Sequence, residues 1–269
     1  MIDISIAMTF RNRAPYLVKH FDNILRQDYD LKKLTYVIGD GNSDDGLMDV
    51  LEKYKKYFKK IIFYISDRSV LPFKIPFNNP SIDYNVSVLM APDKMVIRTD
   101  PEILFPHKES LRLIGSLHAL YPTKLIHFNC IKVFKSFDPY NEEHINNPTK
   151  HTAHQFPYCT DSARSMVFSK DIFENDVGGF DERFVTGFCA EDSYLTHYWR
   201  VHYGFVQVPE EYFTVHLDHG MEHYNKTSEA VRWNYSVPLM RGMQARDERA
   251  NLNADWKRLN MVKNLVELS

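Results

Sequence analysis

Ser5-Ile6-Ala7-Met8-Thr9-Phe10-Arg11-Asn12-Arg13 is the stretch on which the fold turns. Ile2 to Met8 reads as a buried strand, and it stops abruptly at the polar run Thr9 to Arg13. Pro15 follows where a helix can start, and Leu17, Phe21, Ile24 and Leu25 then recur at helical spacing. A second strand is expected over Leu34 to Ile38, ending in the acidic, turn-rich Gly39-Asp40-Gly41-Asn42-Ser43-Asp44-Asp45. Leu47 to Phe58 has the pattern of an amphipathic helix and Ile61 to Ile65 that of a third strand. Strands alternating with helices predict parallel βαβ units.

Further along, residues 67 to 80 read as loop and Ile82 to Ala91 as helix, leading into Val96-Ile97-Arg98-Thr99-Asp100-Pro101-Glu102. Leu111 to Leu120 is a helix candidate and Ile126 to Phe134 a strand candidate. Ser136 to Tyr158 is polar and rich in Asn, Pro and His, which suggests a long loop or lid. Order is expected again at Ala163 to Phe168, in a helix from Glu191 to His202, and in strands at Phe205 to Val208 and Phe213 to His216. From about Ser228 the pattern is helical but irregular, so residues 1–225 are expected as one domain and 226–269 as a helical C-terminal extension.

With 44% hydrophobic and 25% charged residues, a chain of 269 residues can bury a sizeable core. Its net charge of −2 gives no basic face for general nucleic-acid binding. Cys130, Cys159 and Cys189 are odd in number and far apart, which argues against a disulfide framework and for a reducing, cytoplasmic setting. Met1 to Ser5 lacks the features of a signal peptide, and no window approaches a membrane span. Lys53, Lys55, Lys56, Lys59 and Lys60 could touch an anionic membrane surface, but a solvated helix face is the simpler reading. Arg241, Arg246 and Arg249 could grip an anionic acceptor or a partner subunit, with surface ion pairing as the default. Trp199 and Trp233 read as packing rather than as sugar-stacking platforms.

The chemistry gathers at predicted strand ends, where open parallel sheets bind ligands. Asp100 and Glu102 lie two apart in an extended segment, so both can face one side and offer oxygens to one hard divalent cation. Taken alone, Asp-x-Glu is a solvated turn. Asp40 could accept hydrogen bonds from a base or ribose, and Arg11 or Arg13 could neutralise phosphate. The glycines do not form Gly-x-Gly-x-x-Gly, and there is no P-loop lysine motif. Glu191-Asp192 at a helix start could be simple dipole partners or could include a general base. In Val215-His216-Leu217-Asp218-His219-Gly220, with His223 beyond, His216 or His219 could ligate a transition metal.

Together these pieces resemble the family 2-like glycosyltransferases of the GT-A fold. Ser5 to Arg13 looks like that family's first strand and nucleotide loop, and Asp40 to Asp45 like its Asp-rich loop. Asn85 in Asp83-Tyr84-Asn85 resembles the asparagine upstream of the metal motif, without the usual following glycine. Asp100-Pro101-Glu102 is similar to the Asp-x-Asp motif, with Glu replacing its last Asp. Gly178-Gly179-Phe180-Asp181-Glu182 and Glu191-Asp192 resemble the acceptor-side segment and its acid pair.

The resemblance covers roughly residues 2 to 220 and implies an α/β, mixed but mostly parallel central sheet flanked by helices. Its nucleotide-sugar half would be residues 1–105 and its acceptor half 106–225. It also implies transfer from a nucleotide-diphosphate sugar, with UDP expected, to a hydroxyl on a glycan or glycolipid, as in polysaccharide biosynthesis. Thr9, Phe10, Arg11, Arg13, Asp40, Asn85, Arg98, Thr99 and Asp100 would bind the donor. Asp100 and Glu102, with His216 or His219, would hold Mn²⁺ or Mg²⁺, and Asp192 beside Glu191 would be the base of an inverting reaction. The alternatives are a retaining transferase, a non-catalytic nucleotide-sugar-binding module and a nucleotidyltransferase. Peripheral membrane contact and self-association through C-terminal helices are further expectations.

Overall fold

Ile4, Ile6 and Met8 share one face of strand β1 (Ile4–Phe10), Ala7 takes the other, and all four are fully buried. A strand buried on both faces needs cover on both, and the helices supply it. The computed structural model describes residues 1–71, 80–134, 136–152, 165–186, 190–219, 231–251 and 259–269. β1 lies parallel between β2 (Leu34–Asp40) and β4 (Met95–Thr99), and β3 (Lys60–Ser66) is parallel outside β2. Helices α1 (Ala14–Ile24) and α2 (Leu47–Tyr54) pack Leu17, Phe21, Leu51 and Tyr54 on the first face. Helix α3 (Ser81–Leu89) packs Tyr84, Val86 and Val88 on the second. After β3 the chain therefore crosses to the opposite face and enters β4 beside β1. The strand order reverses there, and in such sheets the reversal opens a ligand crevice at the carboxyl ends.

The large sheet has the order β11-β3-β2-β1-β4-β8-β6-β9, with β11 formed by Val262–Leu268. β8 (Ser165–Ser169) is antiparallel to both β4 and β6 (Leu125–His127), and β9 (Phe205–Gln207) is parallel to β6. A three-stranded sheet joins β5 (Ile103–Leu104), β10 (Thr214–Leu217) and β7 (Cys130–Val133). Helix α4 (Ser110–Leu120) adds Leu111 and Ile114 to the core on the α1 side. After the single turn α6 (Lys170–Ile172), helix α7 (Glu191–His202) adds Leu195 and Trp199 on the α3 side. Trp199 is fully buried and its indole N–H donates to the Thr123 carbonyl at 2.9 Å, so it packs as expected. The Trp233 side chain, Cys159, Cys189 and His223 lie outside the described residues.

Three segments depart from the sequence expectation. The expected strand over Ile126 to Phe134 is two strands in different sheets. Phe128 and Asn129 separate them, and the Asn129 carbonyl accepts the Thr214 N–H at 2.9 Å, which turns the chain into the small sheet. The expected loop after Ser136 contains the short helix α5 (Glu142–Asn146), because Asn141 accepts the Glu143 N–H at 2.9 Å as an N-cap. The C-terminal extension is helical only in part: α8 (Val237–Ala245) forms, but Val262–Leu268 is the strand β11. β11 runs antiparallel along β3 and covers what would otherwise be an open sheet edge. Leu265 and Leu268, three apart, suggest a helix, but in the strand Leu265 is exposed and Leu268 is buried.

The lysine run is largely spent on ion pairs: Lys55 with Glu52, Lys59 with Asp3 and Asp93, and Lys60 with Glu267. Arg246 pairs with Glu248, and Arg249 donates to the Asn175 carbonyl. Among the described residues no helix is long and apolar enough to cross a membrane.

The core also contains a titratable group. His20 is fully buried, with Nδ1 2.7 Å from the Ile103 carbonyl and Nε2 3.1 Å from the Tyr36 hydroxyl. Burial holds its pKa down to about 4, against the raising effect of the bond to Ile103. Below pH 6.5 the unfolded chain takes up a proton that the folded chain refuses, so this contribution to stability is lost as pH falls towards 4. We predict that wild-type stability relative to His20→Gln declines by on the order of 3 kcal/mol from pH 7 to pH 4. Urea unfolding at several pH values measures it, and parallel profiles would refute it.

Candidate active site

The polar loop that ends β1 is built by the loop that ends β2. Asn12 adopts a left-handed φ of 53°, a conformation asparagine tolerates. Its N–H donates to Ser43 Oγ at 2.8 Å, and its Oδ1 accepts the Asp44 N–H at 3.1 Å. Asp45 accepts the Ala14 N–H at 2.7 Å, which anchors the start of α1 and suits a helix N-terminus. Asp40 is buried, and its two oxygens take the Ser43 N–H and hydroxyl. The acidic loop therefore shapes the β1 loop, whose Thr9, Phe10, Arg11 and Arg13 line a cavity of about 520 Å³. That size suits a small-molecule ligand.

Arg98, at the end of β4, is only 5% exposed. Its guanidinium lies 3.7 Å from the centre of the Tyr84 ring and 3.5 Å from Asp100 Oδ1. The Tyr84 hydroxyl donates to the same Asp100 oxygen. Burial works against the Arg98 charge, but Asp100, Tyr84, Asp192 and Glu191 outweigh it and leave its pKa raised. Tyr84 packs against Phe180 at 5.5 Å. The Phe180 backbone is gripped at both ends by Asn85, which donates to its carbonyl at 2.9 Å and accepts its N–H at 2.7 Å. The Gly178–Glu182 segment thus props Asp100 from behind.

Glu102 is 5% exposed and accepts from Arg13 Nε at 2.6 Å. His219 Nε2 stands 4.0 Å from the same Glu102 oxygen, and the rings of His216 and His219 are 5.1 Å apart. Burial, and then the neighbouring Asp100, push the Glu102 carboxyl up to about 7, with Arg13 opposing. Across the cavity Asp192 sits in the first turn of α7, directly after Glu191. The preceding Ala190 has a φ of 82°, a region that non-glycine residues avoid and that is often retained at functional sites.

Thr9, Phe10, Arg11, Arg13, Arg98, Asp100, Glu102, Asp192, His216 and His219 line this one cavity. Asp40, Asn85, Thr99 and Glu191 do not. Asp40 and Asn85 spend their hydrogen bonds on the scaffold, and Thr99 is fully buried. The cavity also uses Tyr84, Asp83, Ser66 and Arg68, which sequence reasoning passed over. Asp83 accepts from both Ser66 and Arg68, bringing a loop cation to the wall. Adjacency is the available signal, since Asp83 and Tyr84 directly precede Asn85 in sequence. Among the described residues, the one group whose His, Asp or Glu ligand atoms all converge within 4.8 Å is Glu143, His144 and His151, away from this cavity.

Residues 5–70 match the family model for glycosyl transferase family 2. The chain resembles a mannosyltransferase from Pyrobaculum calidifontis, solved in complex with GDP-Man and Mn²⁺, at 20% identity and a TM-score of 0.58. It also resembles TarS residues 1–349 from S. aureus in complex with UDP-GlcNAc, at 16% identity and a TM-score of 0.61. This chain has the GT-A fold, and the family 2 match lies in the first part of its large sheet. The likeness to the mannosyltransferase covers 92% of this chain but 65% of that one, and the likeness to TarS covers 97% of this chain and 69% of that one. No curated protein matches the sequence.

Glu102 is held against the stability of the fold, as functional carboxylates often are. Its folded pKa is raised, so the folded chain keeps a proton that the unfolded chain has released, and stability falls as pH rises from 4.5 through about 7. We predict that Glu102→Gln stabilises the protein, relative to wild type, by on the order of 3 kcal/mol more at pH 8 than at pH 4.5. Urea denaturation at the two pH values is the measurement, and an unchanged difference would contradict the prediction.

Proposed function

We propose that the chain is a metal-dependent, inverting glycosyltransferase that moves a sugar from a nucleoside diphosphate, UDP in the first instance, to a glycan or glycolipid hydroxyl. The observation that carries this is the meeting of Arg11, Arg13, Arg68, Arg98, Asp100, Glu102 and Asp192 in one cavity at the strand switch point. A donor that presents a diphosphate and an electrophilic sugar carbon needs cations for the one and a base beyond the other. The cavity offers both. The cytoplasmic face of a membrane is a setting consistent with a glycolipid acceptor.

The donor set suits a divalent ion in its chemistry, since Asp100 and Glu102 offer hard oxygens and His216 or His219 a nitrogen. When bound, Mn²⁺ or Mg²⁺ supplies electrostatic stabilisation of the departing diphosphate. Arg11, Arg13 and Arg68 bind phosphate oxygens, Arg68 from its anchor on Asp83. Arg98, charged and buried, holds Asp100 in place together with the Tyr84 hydroxyl. Asp192 accepts the acceptor's hydroxyl proton as that oxygen bonds to the anomeric carbon, while the bond from that carbon to the diphosphate oxygen breaks on the opposite face.

Replacing Asp192 by Asn is expected to lower kcat by about 10²- to 10⁴-fold while the Kd for UDP in Mn²⁺ stays within roughly twofold. Retained turnover would remove Asp192 from the role of base. NMR of the product's anomeric proton is expected to show inversion, and a retained configuration would refute that part of the proposal.

A further inference from the structure

We propose that Arg13 is a built-in competitor for the divalent ion, neutralising Glu102 in the metal-free protein and passing to the donor diphosphate when metal and donor bind together. The inference rests on the reading of the cavity just given. It adds a coupling device to that site.

The argument starts from desolvation. When ionised, a carboxylate buried as deeply as Glu102 calls for a cation beside it. Arg13 supplies one at 2.6 Å, on Oε1. His219 Nε2 lies 4.0 Å from that same oxygen and His219 Nδ1 lies 3.5 Å from Arg13 Nη2, so the guanidinium borders both the carboxylate and the nearby imidazole. A divalent ion bound by Glu102 and His219 would have to enter this space, beside a like charge. Of the two paired side chains Arg13 is the one able to leave. Its side chain is 21% exposed against 6% for the side chain of Glu102, and it sits on the loop after β1 with Arg11. Tyr16, its ring centre 6.0 Å from the guanidinium, offers a weak cation–π contact rather than a second anion.

The thermodynamic consequence is reciprocal. Metal alone must displace Arg13 and leave it next to the ion. Diphosphate alone must draw Arg13 away and leave Glu102 buried without its cation. Bound together, each ligand removes the penalty on the other, a positive coupling that must be equal in both directions. Direct contact between metal and diphosphate would add coupling of its own, so the diagnostic quantity is the affinity for metal alone.

Isothermal titration of the whole chain with Mn²⁺, with and without saturating UDP or GDP, tests this in wild type, Arg13→Gln, Arg11→Gln and the double variant Arg13→Gln/Glu102→Gln. Arg13→Gln should bind Mn²⁺ alone about fivefold or more tighter than wild type, and the nucleotide's enhancement of Mn²⁺ binding should fall by a similar factor. Arg11→Gln removes the same charge from the same cavity without removing the partner of Glu102, so it should change the affinity for Mn²⁺ alone, without nucleotide, by less than about twofold. In the double variant the gain should vanish. Unchanged or weaker Mn²⁺ binding by Arg13→Gln, or an equal gain in Arg11→Gln, overturns the competition. If Mn²⁺ with nucleotide still binds wild type in that case, the glycosyltransferase reading stands without it. Failure of wild type to bind Mn²⁺ under either condition overturns both.

Discussion

Everything at this site depends on keeping one cation out of water. Arg98 ends a strand in the middle of the large sheet, where an isolated charge would be strongly disfavoured. It is tolerated because Asp100 lies beside it, the Tyr84 ring covers its face, and Asp192 and Glu191 add their charge from α7. Those acids are in turn held where Arg98 needs them. The arrangement ties two halves of the chain together, since Asp100 follows β4 and Asp192 comes from a helix some ninety residues later in sequence. Phe180, clamped by Asn85, closes the back of the same cluster.

The layout of the fold was legible because burial leaves a periodic trace. Ile4, Ile6 and Met8 against α1 and α2, and Val86 and Val88 beneath the opposite face, announce a sheet covered on both sides. The cavity was legible too, because polar residues at strand ends stand out from the apolar runs that precede them. Less legible was the division of labour among those residues. Asp40 and Asn85 look like ligand contacts in sequence, yet their side chains satisfy backbone and hydroxyl groups of their own scaffold. Sequence spacing shows where a carboxylate or amide can be, but its partners are set by chain segments that meet only on folding. Arg68 illustrates the same point, since its place on the cavity wall depends on Asp83, fifteen residues away.

The C-terminal strand was hidden for a different reason. An edge strand presents one half-buried face and one solvated face, and Val262 to Leu268 carries a bulge between Lys263 and Val266 that breaks the alternation. Its apolar residues then fall at spacings that also suit a helix. Its value lies in covering β3, which no local signal can announce.

The proposed role of Asp100 and Glu102 as the metal anchor of a donor site is tested most directly by anomalous scattering. Crystals of the full chain grown with Mn²⁺ and UDP, with data collected near the manganese edge, should show a peak bonded to the Asp100 and Glu102 carboxylates and to the diphosphate. A manganese peak confined to Glu143, His144 and His151, or nucleotide bound with no metal beside Asp100 and Glu102, would contradict the account.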